Sequence, residues 1–290
     1  MGYLRMIGER DGRNFISVRD ADWKPQDMTF RAVRVLKEVD LIAAEDTRNS
    51  VKLLNHFDIH TPMTSYHEYN KYDKGRKLTE QLLEGKDIAL ITDAGTPGIS
   101  DPGEELVRMC RDFGIEVTAI PGAAACITAL TISGLPTRRF VFEAFLPMDK
   151  KNREGVLEIL EKEQRTIVMY EAPHRLVRTL KLLAERLGDR PVSVCRELTK
   201  RHETVYESTL AKAAEYYEQN APKGECVLVI GGISREEIEK EERNGWEKMT
   251  IEEHMEYYLC QGMEKKEAMK QTAKDRGVQK REIYNYLNKK

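Results

Sequence analysis

The stretch Asp87–Gly103, DIALITDAGTPGISDPG, decides the fold. Its run 88–92 is short and mainly apolar, which is typical of a parallel strand buried on both faces. Residues 93–103 hold three glycines and two prolines before a helical pattern begins, so the loop is rigid and lets a ligand approach the backbone. Ligands of open α/β sheets lie beyond the carboxyl ends of the strands. The stretch therefore predicts an α/β fold with a small-molecule site at this loop; an ordinary tight turn is the alternative.

Strand and helix patterns alternate on both sides of this stretch. The predicted strands of the first half are Phe15–Val18, Leu41–Ala44, Asp87–Thr92, Val117–Ile120 and Phe140–Phe142. The predicted helices between them are Met28–Val39, Thr47–Phe57, Lys74–Glu84, Gly103–Phe113 and Ala123–Ile132. This alternation predicts an open, parallel α/β sheet.

A second α/β domain is predicted after the turn at Leu146-Pro147. Its predicted strands are Thr166–Tyr170, Pro191–Arg196, Glu203–Ser208 and Glu225–Ile230, and its predicted helices are Val156–Glu161, His174–Leu187 and Leu210–Glu218. Two of these strands follow each other without a helix, so we expect a mixed sheet. The predicted division is an N-terminal α/β domain at 1–147, a second α/β domain at 148–232 and a helical tail at 233–290.

The tail is charged, and from residue 264 onward basic residues outnumber acidic ones. Its pattern of helix, turn at Gly277 and helix is similar to a small helix-turn-helix unit. A basic unit of this kind suits nucleic-acid phosphates, and Lys280 and Arg281 are its candidate contacts to them. A solvated helical appendage is the alternative interpretation.

Composition limits the class of protein. The chain has 290 residues, and 40% of them are hydrophobic, enough for a sizeable core. Because its net charge is −2, any contact with RNA is expected to be a local patch. The five cysteines form no C-x-x-C pair, which indicates reduced thiols in the cytosol. We find no metal-ligand spacing, secretory signal or apolar stretch of 18 residues, so we expect a cytoplasmic protein with no metal and no membrane contact.

Polar clusters follow several other predicted strands. Ala44–Arg48 places acids and an arginine at a strand end, Ser65–Asn70 is a polar and aromatic loop, and Tyr170–Arg175 and Arg196–Lys200 repeat this mixture. The turn Ile120–Ala125 is a second glycine turn, whose small residues let a ring approach the start of a helix. Taken alone, each cluster is equally compatible with a helix cap, helix–sheet packing or a solvated loop.

Eight motifs in a fixed order carry a family resemblance. They are AEDTR, SYHEYN, DAGTPGISDPG, PGAAACITAL, SGLPTRRFVFEAFLP, YEAPHRL, RELTKRHE and KGECVLVI. Over roughly residues 28–232 the chain resembles the tetrapyrrole-methylase superfamily and, within it, the ribosomal RNA small subunit methyltransferase I branch. This resemblance implies S-adenosylmethionine as the methyl donor, bound in a cleft between two α/β domains, and a homodimer. It also implies 2′-O-methylation of a cytidine in the decoding region of 16S rRNA, with the small ribosomal subunit as the partner.

The resemblance also assigns the donor-binding residues. One set lines the donor site directly: Asp93, Ala94, Gly95, Thr96, Pro97 and Gly98. A second set surrounds the nucleoside part: Ala123, Ala124, Ala125, Tyr170, Glu171, Ala172 and Leu198.

The chemistry adds a second group of candidates. A ribose hydroxyl is a weak nucleophile, so a base should help to remove its proton while the enzyme positions the methyl group. The candidate bases are Asp46, His67 and Glu171, with Asp46 and His67 preferred. Basic side chains expected to hold RNA phosphates include Arg48, Lys200 and Arg201.

The N-terminus departs from the family pattern, which opens with a strand and a T-P-I-G-N glycine loop. Residues 18–25 read VRDADWKP instead, and the match resumes at Gln26. A reading frame shifted by one nucleotide allows residues 20–24 to encode T-P-I-G-N, so we interpret the residues before about Pro25 as a product of a frame slip; a naturally divergent N-terminus is the alternative. If the slip is present in the protein, Asp20, Asp22 and Trp23 are expected to crowd the cleft and impair methylation.

Two other functions remain open from the sequence. One is a methyltransferase of the same superfamily that acts on a tetrapyrrole or another small substrate. The other is an inactive RNA-binding relative, which the disrupted N-terminal loop alone supports. Activity on a corrin precursor but not on RNA would favour the first, and RNA binding without donor binding would favour the second.

Overall fold

The computed structural model describes residues 28–92, 95–122, 124–198, 202–234, 236–238, 246 and 248–288, together with the backbone of a strand at 14–17. The first ten elements alternate strand and helix: β1 (Asn14–Ser17), α1 (Phe30–Glu38), β2 (Leu41–Ala44), α2 (Thr47–His56), β3 (Met63–Ser65), α3 (Lys71–Leu83), β4 (Ile88–Ile91), α4 (Gly103–Asp112), β5 (Glu116–Ala119) and α5 (Ala125–Ile132).

Five of these strands form one parallel sheet in the order β3-β2-β4-β1-β5. The predicted parallel α/β sheet is therefore confirmed. Strand β4 lies at its centre, and all four of its residues are buried. The sequence pattern missed β3, which has three residues and lies at the edge of the sheet.

Helices cover both faces of this sheet because successive strand residues point to opposite sides. Ala89 and Ile91 of β4 pack with buried residues of α1 and α2. Ile88 and Leu90 pack instead with buried residues of α3 and α4. Helix α1 begins at Thr29, whose hydroxyl accepts a hydrogen bond from the backbone N–H of Ala32 at 3.1 Å. With both faces covered, the ends of the strands remain as places where this sheet can meet a ligand.

The second sheet is mixed, as predicted. Its strands are β6 (Phe140–Phe145), β7 (Thr166–Glu171), β8 (Pro191–Arg196), β9 (Thr204–Thr209) and β10 (Cys226–Ile230), in the order β6-β7-β10-β8-β9. β6 and β7 are parallel, and the other three pairs are antiparallel. The helices between them are α6 (Lys150–Glu161), α7 (Leu176–Leu187) and α8 (Leu210–Gln219).

Strand β6 is part of the second sheet and helix α5 packs against that sheet, although both precede residue 147. Cys126, Ala129 and Leu130 of α5 pack against residues of β7, β8 and β10, and β6 pairs with β7. The three-part division at 147 and 232 stays a prediction. From sheet membership, we propose that the first boundary lies earlier, in the turn between β5 and α5.

Three helices form the C-terminal unit: α9 (Ile251–Cys260), α10 (Lys265–Asp275) and α11 (Lys280–Leu287). Their buried apolar residues form one cluster: Met255, Tyr258, Ala268, Met269, Ala273 and Ile283. Helix α10 ends before Gly277, whose φ of 65° permits the tight turn into α11. The predicted helix, turn and helix are therefore present.

No helix among the described residues has the length and apolarity that crossing a membrane requires. All five cysteines are free thiols, and four of them are buried.

Candidate active site

The carboxyl ends of β2, β3 and β4 bring polar residues to one edge of the parallel sheet. Backbone hydrogen bonds continue past the strands, from Tyr66 N–H to the Ala44 carbonyl at 2.8 Å and from Glu45 N–H to the Ile91 carbonyl at 3.3 Å. The Thr92 hydroxyl donates a short hydrogen bond to the Glu45 carboxylate. The segments AEDTR, SYHEYN and DAGTPGISDPG therefore begin side by side.

The glycine loop after β4 is held in shape by Asp101. Both oxygens of its carboxylate accept from Gly98 N–H at 2.9 Å, and one also accepts from Gly103 N–H at 2.7 Å. Burial raises the pKa of the Asp101 carboxyl, although the two backbone hydrogen bonds act to lower it. One side chain thus fixes both ends of the turn 98–103.

Glycine is required at several points of this loop. Gly95 and Gly98 have φ values of 86° and 84°, a region that residues with a Cβ rarely adopt. At Gly103 a Cβ would lie 2.8 Å from both the Gly98 nitrogen and the Leu90 side chain. By contrast, a Cβ on Gly95 would meet no heavy atom of the described residues within 4 Å. In the part of the chain that the structure describes, the loop is therefore tightly packed behind Gly103 and open beside Gly95.

Tyr66 ties the loop to the neighbouring strand. Its side chain is fully buried, and its hydroxyl donates to the Pro102 carbonyl at 2.9 Å. Burial, together with the negative charges of Glu105 and Asp101, raises the pKa of this hydroxyl, so it stays protonated as a donor. Tyr66 therefore belongs to the support of the loop.

The second set of predicted donor-binding residues meets on the second sheet. Ala124, Ala125, Tyr170 and Leu198 all pack in the apolar cluster around α5. The Tyr170 ring also contacts two phenylalanines of β6, with centroid distances of 5.0 Å to Phe142 and 5.6 Å to Phe145. These contacts form an apolar, aromatic wall. They bring together residues that lie up to 74 positions apart in the chain (124 to 198).

Backbone strain is concentrated at the same strand ends. Among the described non-glycine residues, four have positive φ, and Asp58 is one that follows the C-cap of a helix. The other three are Ser100 in the glycine loop (63°), Ala144 in β6 (52°) and Glu197 after β8 (50°). Such conformations cost free energy and cluster at binding sites, which supports a ligand site here.

The Glu171 carboxylate is buried and bonded to other residues of the chain. Its side chain is 1% exposed and forms an ion pair with Arg175, with 3.2 Å between Oε1 and Nε. Oε2 accepts from the Thr179 hydroxyl at 2.5 Å, and Oε1 also accepts from Ala172 N–H at 2.8 Å. Because all these partners are internal, the carboxylate anchors the start of α7.

Asp46 is the N-cap of α2 and is paired with Arg48. Its oxygens accept from Arg48 N–H at 2.8 Å and from the guanidinium at 3.0 and 2.6 Å. These hydrogen bonds lower the pKa of the Asp46 carboxyl to about 2. A carboxylate with so low a pKa is a weak base near neutral pH.

His67 is half-buried in the loop after β3. Asn70 holds it from two sides: Oδ1 accepts from His67 N–H at 2.8 Å, and Nδ2 lies 3.3 Å from the His67 Nε2. Because Nδ2 can only donate, the neutral ring carries its proton on Nδ1 in this arrangement. That Nδ1 is buried and has no hydrogen-bond partner in the described part of the chain. The other ring nitrogen, Nε2, makes only the 3.3 Å contact with Asn70, so it is the acceptor of His67 that a ligand can reach.

The remaining candidates are distributed as follows. Thr96 and Pro97 lie in the glycine loop, Ala172 follows β7, and Lys280 and Arg281 begin α11 in the C-terminal unit. Five predicted site residues lie outside the described residues: Asp93, Ala94, Ala123, Lys200 and Arg201. The segment 18–27 that carries the predicted frame slip also lies outside them.

Glu45, Tyr66 and Asp101 were missed as site residues by the sequence pattern. Each lies within a quoted motif, but its role depends on contacts that the motif does not reveal, such as the pairing of Glu45 with Thr92. A signal was available for Asp101, since aspartate in a turn often accepts from the backbone N–H two residues further on, here that of Gly103.

The described residues contain no group of three or more His, Cys, Asp or Glu side chains suited to hold a metal ion. They do fit a nucleoside-containing cofactor. With respect to the described residues, the loop is open beside Gly95, and Ala124, Ala125, Tyr170 and Leu198 supply small and aromatic surfaces for a ring.

Comparison with known proteins identifies relatives of this chain. The family model for Tetrapyrrole (Corrin/Porphyrin) Methylases matches residues 24–214. Its match begins close to Gln26, where the resemblance resumes after the atypical N-terminal segment. A ribosomal RNA small subunit methyltransferase I from Halalkalibacterium halodurans is 51% identical over 260 residues, which are 90% of this chain and 89% of that relative. The protein of the same name from Bacillus subtilis is 48% identical over the same shares.

Solved structures share the fold at low sequence identity. A diphthine synthase has a TM-score of 0.61 with 14% identity, covering 75% of this chain and 90% of its own. Uroporphyrin-III C-methyltransferase from Thermus thermophilus, complexed with S-adenyl homocysteine, has a TM-score of 0.53 with 20% identity, covering 76% and 92%. These likenesses support the two-sheet architecture alone.

Proposed function

This chain belongs to the tetrapyrrole methylase family, and we propose that it transfers a methyl group from S-adenosylmethionine to the RNA of the small ribosomal subunit. The observation that carries this proposal is 51% identity to a ribosomal RNA small subunit methyltransferase I over nine-tenths of both chains. The acceptor that we propose is the 2′-oxygen of a cytidine ribose in the decoding region of 16S rRNA. The place of action is the cytoplasm, where small subunits are found.

The donor occupies the space between the glycine loop and the aromatic wall. Asp93 to Gly98 hold its polar part through backbone groups, and Ala123 to Ala125 with Tyr170, Glu171, Ala172 and Leu198 surround the nucleoside. Bound S-adenosylmethionine supplies an electrophilic methyl group on a sulfonium. Asp101 and Glu171 act indirectly, since Asp101 fixes the loop and Glu171 fixes the start of α7.

The RNA approaches the edge where Asp46, Arg48 and His67 lie. The Arg48 side chain is 87% exposed, so its guanidinium can meet a phosphate while still bonded to Asp46. Lys200, Arg201, Lys280 and Arg281 are proposed as further phosphate contacts. The chain's main contribution to the reaction is to hold the ribose oxygen in line with the methyl group.

His67 is the residue that we propose to take the proton of the 2′-hydroxyl. Glu171 is enclosed by its partners, and Asp46 has a pKa of about 2. The Nε2 of His67 makes only a long bond, 3.3 Å, to Asn70, which an incoming hydroxyl can replace. Asp46 then positions Arg48, and Glu171 supports the donor site.

Methyl transfer tests this proposal directly. The purified chain is incubated with labelled S-adenosylmethionine and small subunits that lack this modification, and the product nucleoside is identified by mass spectrometry. We expect 2′-O-methylcytidine in 16S rRNA. Label in a corrin precursor, with none in RNA, would instead assign the chain to a small-substrate branch of the family.

Two variants test the role of His67. His67→Gln should lower the rate about 100-fold or more, which is the range for loss of a general base. Asp46→Asn keeps an oxygen acceptor for the N-cap of α2 and should cost much less. Equal losses in both variants would remove His67 from this role.

A homodimer is also proposed, from the resemblance and from two aromatic side chains on the first half of the chain. Phe30 is 98% exposed and Tyr69 is 97% exposed, and a partner subunit would cover such surfaces. Light scattering of the purified chain measures the mass. A monomer at micromolar concentration would contradict the dimer and leave the methyl transfer proposal standing.

The reading frame before Pro25 is a separate proposal, supported by the family match that begins at residue 24. The encoding DNA should spell T-P-I-G-N in the shifted frame. A chain with this loop restored should methylate RNA faster than the chain as written. Equal rates would show that the segment 18–25 does not impair the site.

A further inference from the structure

The C-terminal unit contains a cavity that the proposed methyl transfer does not use. Its volume is about 340 Å³, at the lower end of the range of about 300–1,000 Å³ that is usual for small-molecule sites. It lies between the start of α9, the turn after α10 and one side of α11. The lining residues are Ile251, Arg276, Val278, Glu282, Ile283 and Tyr286.

Arg276 is held rigidly in the wall of this cavity. Its Nε donates to His254 Nδ1 at 3.1 Å, and one terminal nitrogen donates to the carbonyls of Trp246, Met249 and Thr250 at 2.8, 2.5 and 2.9 Å. His254 is itself fully buried and stacked on Trp246 at 4.0 Å. The guanidinium is therefore pre-organised, and among the described residues its other terminal nitrogen has no hydrogen-bond acceptor, so it can donate to a ligand at little entropic cost.

Glu282 and Tyr286 complete the polar and aromatic surfaces. One oxygen of the Glu282 carboxylate accepts from Gln279 N–H at 3.0 Å, which holds the side chain at the start of α11. Tyr286 lies one helical turn further and is 45% exposed. Ile251, Val278 and Ile283 add an apolar floor. The cavity thus combines a fixed donor, a fixed acceptor and a ring, which suits a flat ligand with polar edges.

Helices α10 and α11 of the C-terminal unit carry a group of basic side chains. Lys266, Lys270 and Lys274 are exposed at every fourth position of α10, so they form one basic stripe along that helix. Lys280 and Arg281 continue the positive charge at the start of α11. A ligand joined to a phosphate backbone complements this charge.

We propose that this cavity binds one unpaired base of RNA. The base stacks on Tyr286, while Arg276 donates to its acceptors and Glu282 accepts from its N–H groups. Stacking on aromatic rings and hydrogen bonds at the base edge are how proteins recognise unpaired RNA. This proposal rests on RNA being the substrate. It gives the C-terminal unit the role of a second RNA-binding site, distant from the site of methylation.

A fluorescent RNA tests the cavity in the full chain. The probe is a single-stranded oligonucleotide with one 2-aminopurine, whose emission falls when it stacks on a ring. We expect quenching with the chain as written, and a loss of affinity of about 5- to 150-fold for Tyr286→Ala, the equivalent of about 1–3 kcal/mol per stacked base. Tyr286→Phe should restore the binding.

Tyr284→Ala is the matched control. Tyr284 lies two residues away on the same helix and is 55% exposed, but it does not line the cavity. Its loss should leave the affinity within about twofold. If Tyr284→Ala lowers the affinity more than Tyr286→Ala does, the RNA binds to the outer face of α11 and the proposal is overturned. Binding of the probe without quenching would also overturn it, because it would show attraction by charge alone.

Methyl transfer separates this proposal from the proposed function. Tyr286→Ala should raise the KM for small subunits and leave kcat unchanged, because the cavity does not touch the reacting atoms. If methyl transfer to RNA proceeds but the probe is not quenched, the cavity proposal fails alone. If the probe is quenched but no methyl transfer occurs, the function fails and the base site stands.

Discussion

The two sheets support their ligand-facing edges in different ways. At the first sheet a backbone loop forms the edge, and its shape depends on glycines and on the hydrogen bonds of Asp101 to two backbone N–H groups. At the second sheet the edge is formed by side chains, and Glu171 holds it through an ion pair with Arg175 and a bond from Thr179. The difference indicates that changes in the first region should act on ligand affinity, and changes in the second on the stability of the whole domain.

The largest effect is expected from Glu171→Ala. Removing one partner of a buried ion pair leaves the other charge without compensation, which costs about 3–5 kcal/mol. Chemical denaturation of the full chain measures the free energy of unfolding. Glu218→Ala is the control, since Glu218 pairs with Lys181 where both side chains are about half exposed, and such a pair contributes about 0–1 kcal/mol.

If Glu171→Ala lowers the free energy of unfolding by less than about 1 kcal/mol, the proposed difference between the two sheets is wrong. It would mean that the second sheet does not depend on this ion pair. Glu171 would then become available again as a candidate for the chemistry.

Asp101→Ala is expected to act mainly on the loop. It leaves the N–H groups of Gly98 and Gly103 without their acceptor, at a cost of about 1–3 kcal/mol. We expect the affinity for S-adenosylmethionine, measured by calorimetry, to fall about 10-fold or more, with a smaller loss of global stability than for Glu171→Ala. Asp101→Asn retains one oxygen acceptor, so its affinity for S-adenosylmethionine should lie between those of the chain as written and Asp101→Ala. An unchanged affinity in Asp101→Ala would show that the loop keeps its shape without this side chain.

The sequence predicts much of both sheets because their strands are apolar and their helices amphipathic. Leu41–Ala44 and Pro191–Arg196 are predicted with the bounds that the structure has. Helix α6 begins at Lys150 rather than at the predicted Val156, since its first turns are charged and only the N-cap bond from Asn152 N–H to Asp149, at 2.9 Å, marks the start. Pattern methods see apolar periodicity and overlook such a start.

The candidate site is less predictable than the fold. The ends of the predicted strands identify the segments that form the site, but the chemical state of each side chain depends on contacts distant in sequence. Asp46 and Glu171 are both acids at strand ends, yet one is a helix cap with a pKa of about 2 and the other is an enclosed ion pair. The packing of α5 on the second sheet is equally invisible, because small residues suit either sheet.

Two glycines with opposite expectations sharpen the comparison further. Gly103→Ala places a Cβ 2.8 Å from a backbone nitrogen and from Leu90, and overpacking of this kind costs about 1–3 kcal/mol. Gly155 lies inside α6, where a Cβ meets nothing within 4 Å, so Gly155→Ala should stabilise the chain by about 0.4–1 kcal/mol. Thermal unfolding with and without S-adenosylmethionine measures both. Stabilisation by Gly103→Ala would show that the loop is not tightly packed behind this glycine.

The smallest effect is a difference in pH dependence between two carboxyl groups. Burial raises the pKa of Asp101 above its ordinary 3.8, so the folded chain binds this proton before the unfolded chain does. Its contribution to stability is fully present below pH 3.8 and is lost as the pH rises through the raised value. In the second domain, hydrogen bonds from Arg165 lower the pKa of Glu163 from 4.5 to about 2, so its contribution is present above pH 4.5 and is lost as the pH falls towards 2.

Variants without the charge separate these two contributions. The stability of the chain as written is compared with that of Asp101→Asn and of Glu163→Gln at pH 7, 4.5 and 3. Relative to Asp101→Asn, the chain should gain stability as the pH falls, because its carboxyl becomes neutral in the folded state. Relative to Glu163→Gln, it should lose stability between pH 4.5 and 3. Shifts of the same sign in both comparisons would mean that the Asp101 carboxyl is stabilised as an anion by Gly98 and Gly103, and that the two regions hold their carboxylates alike.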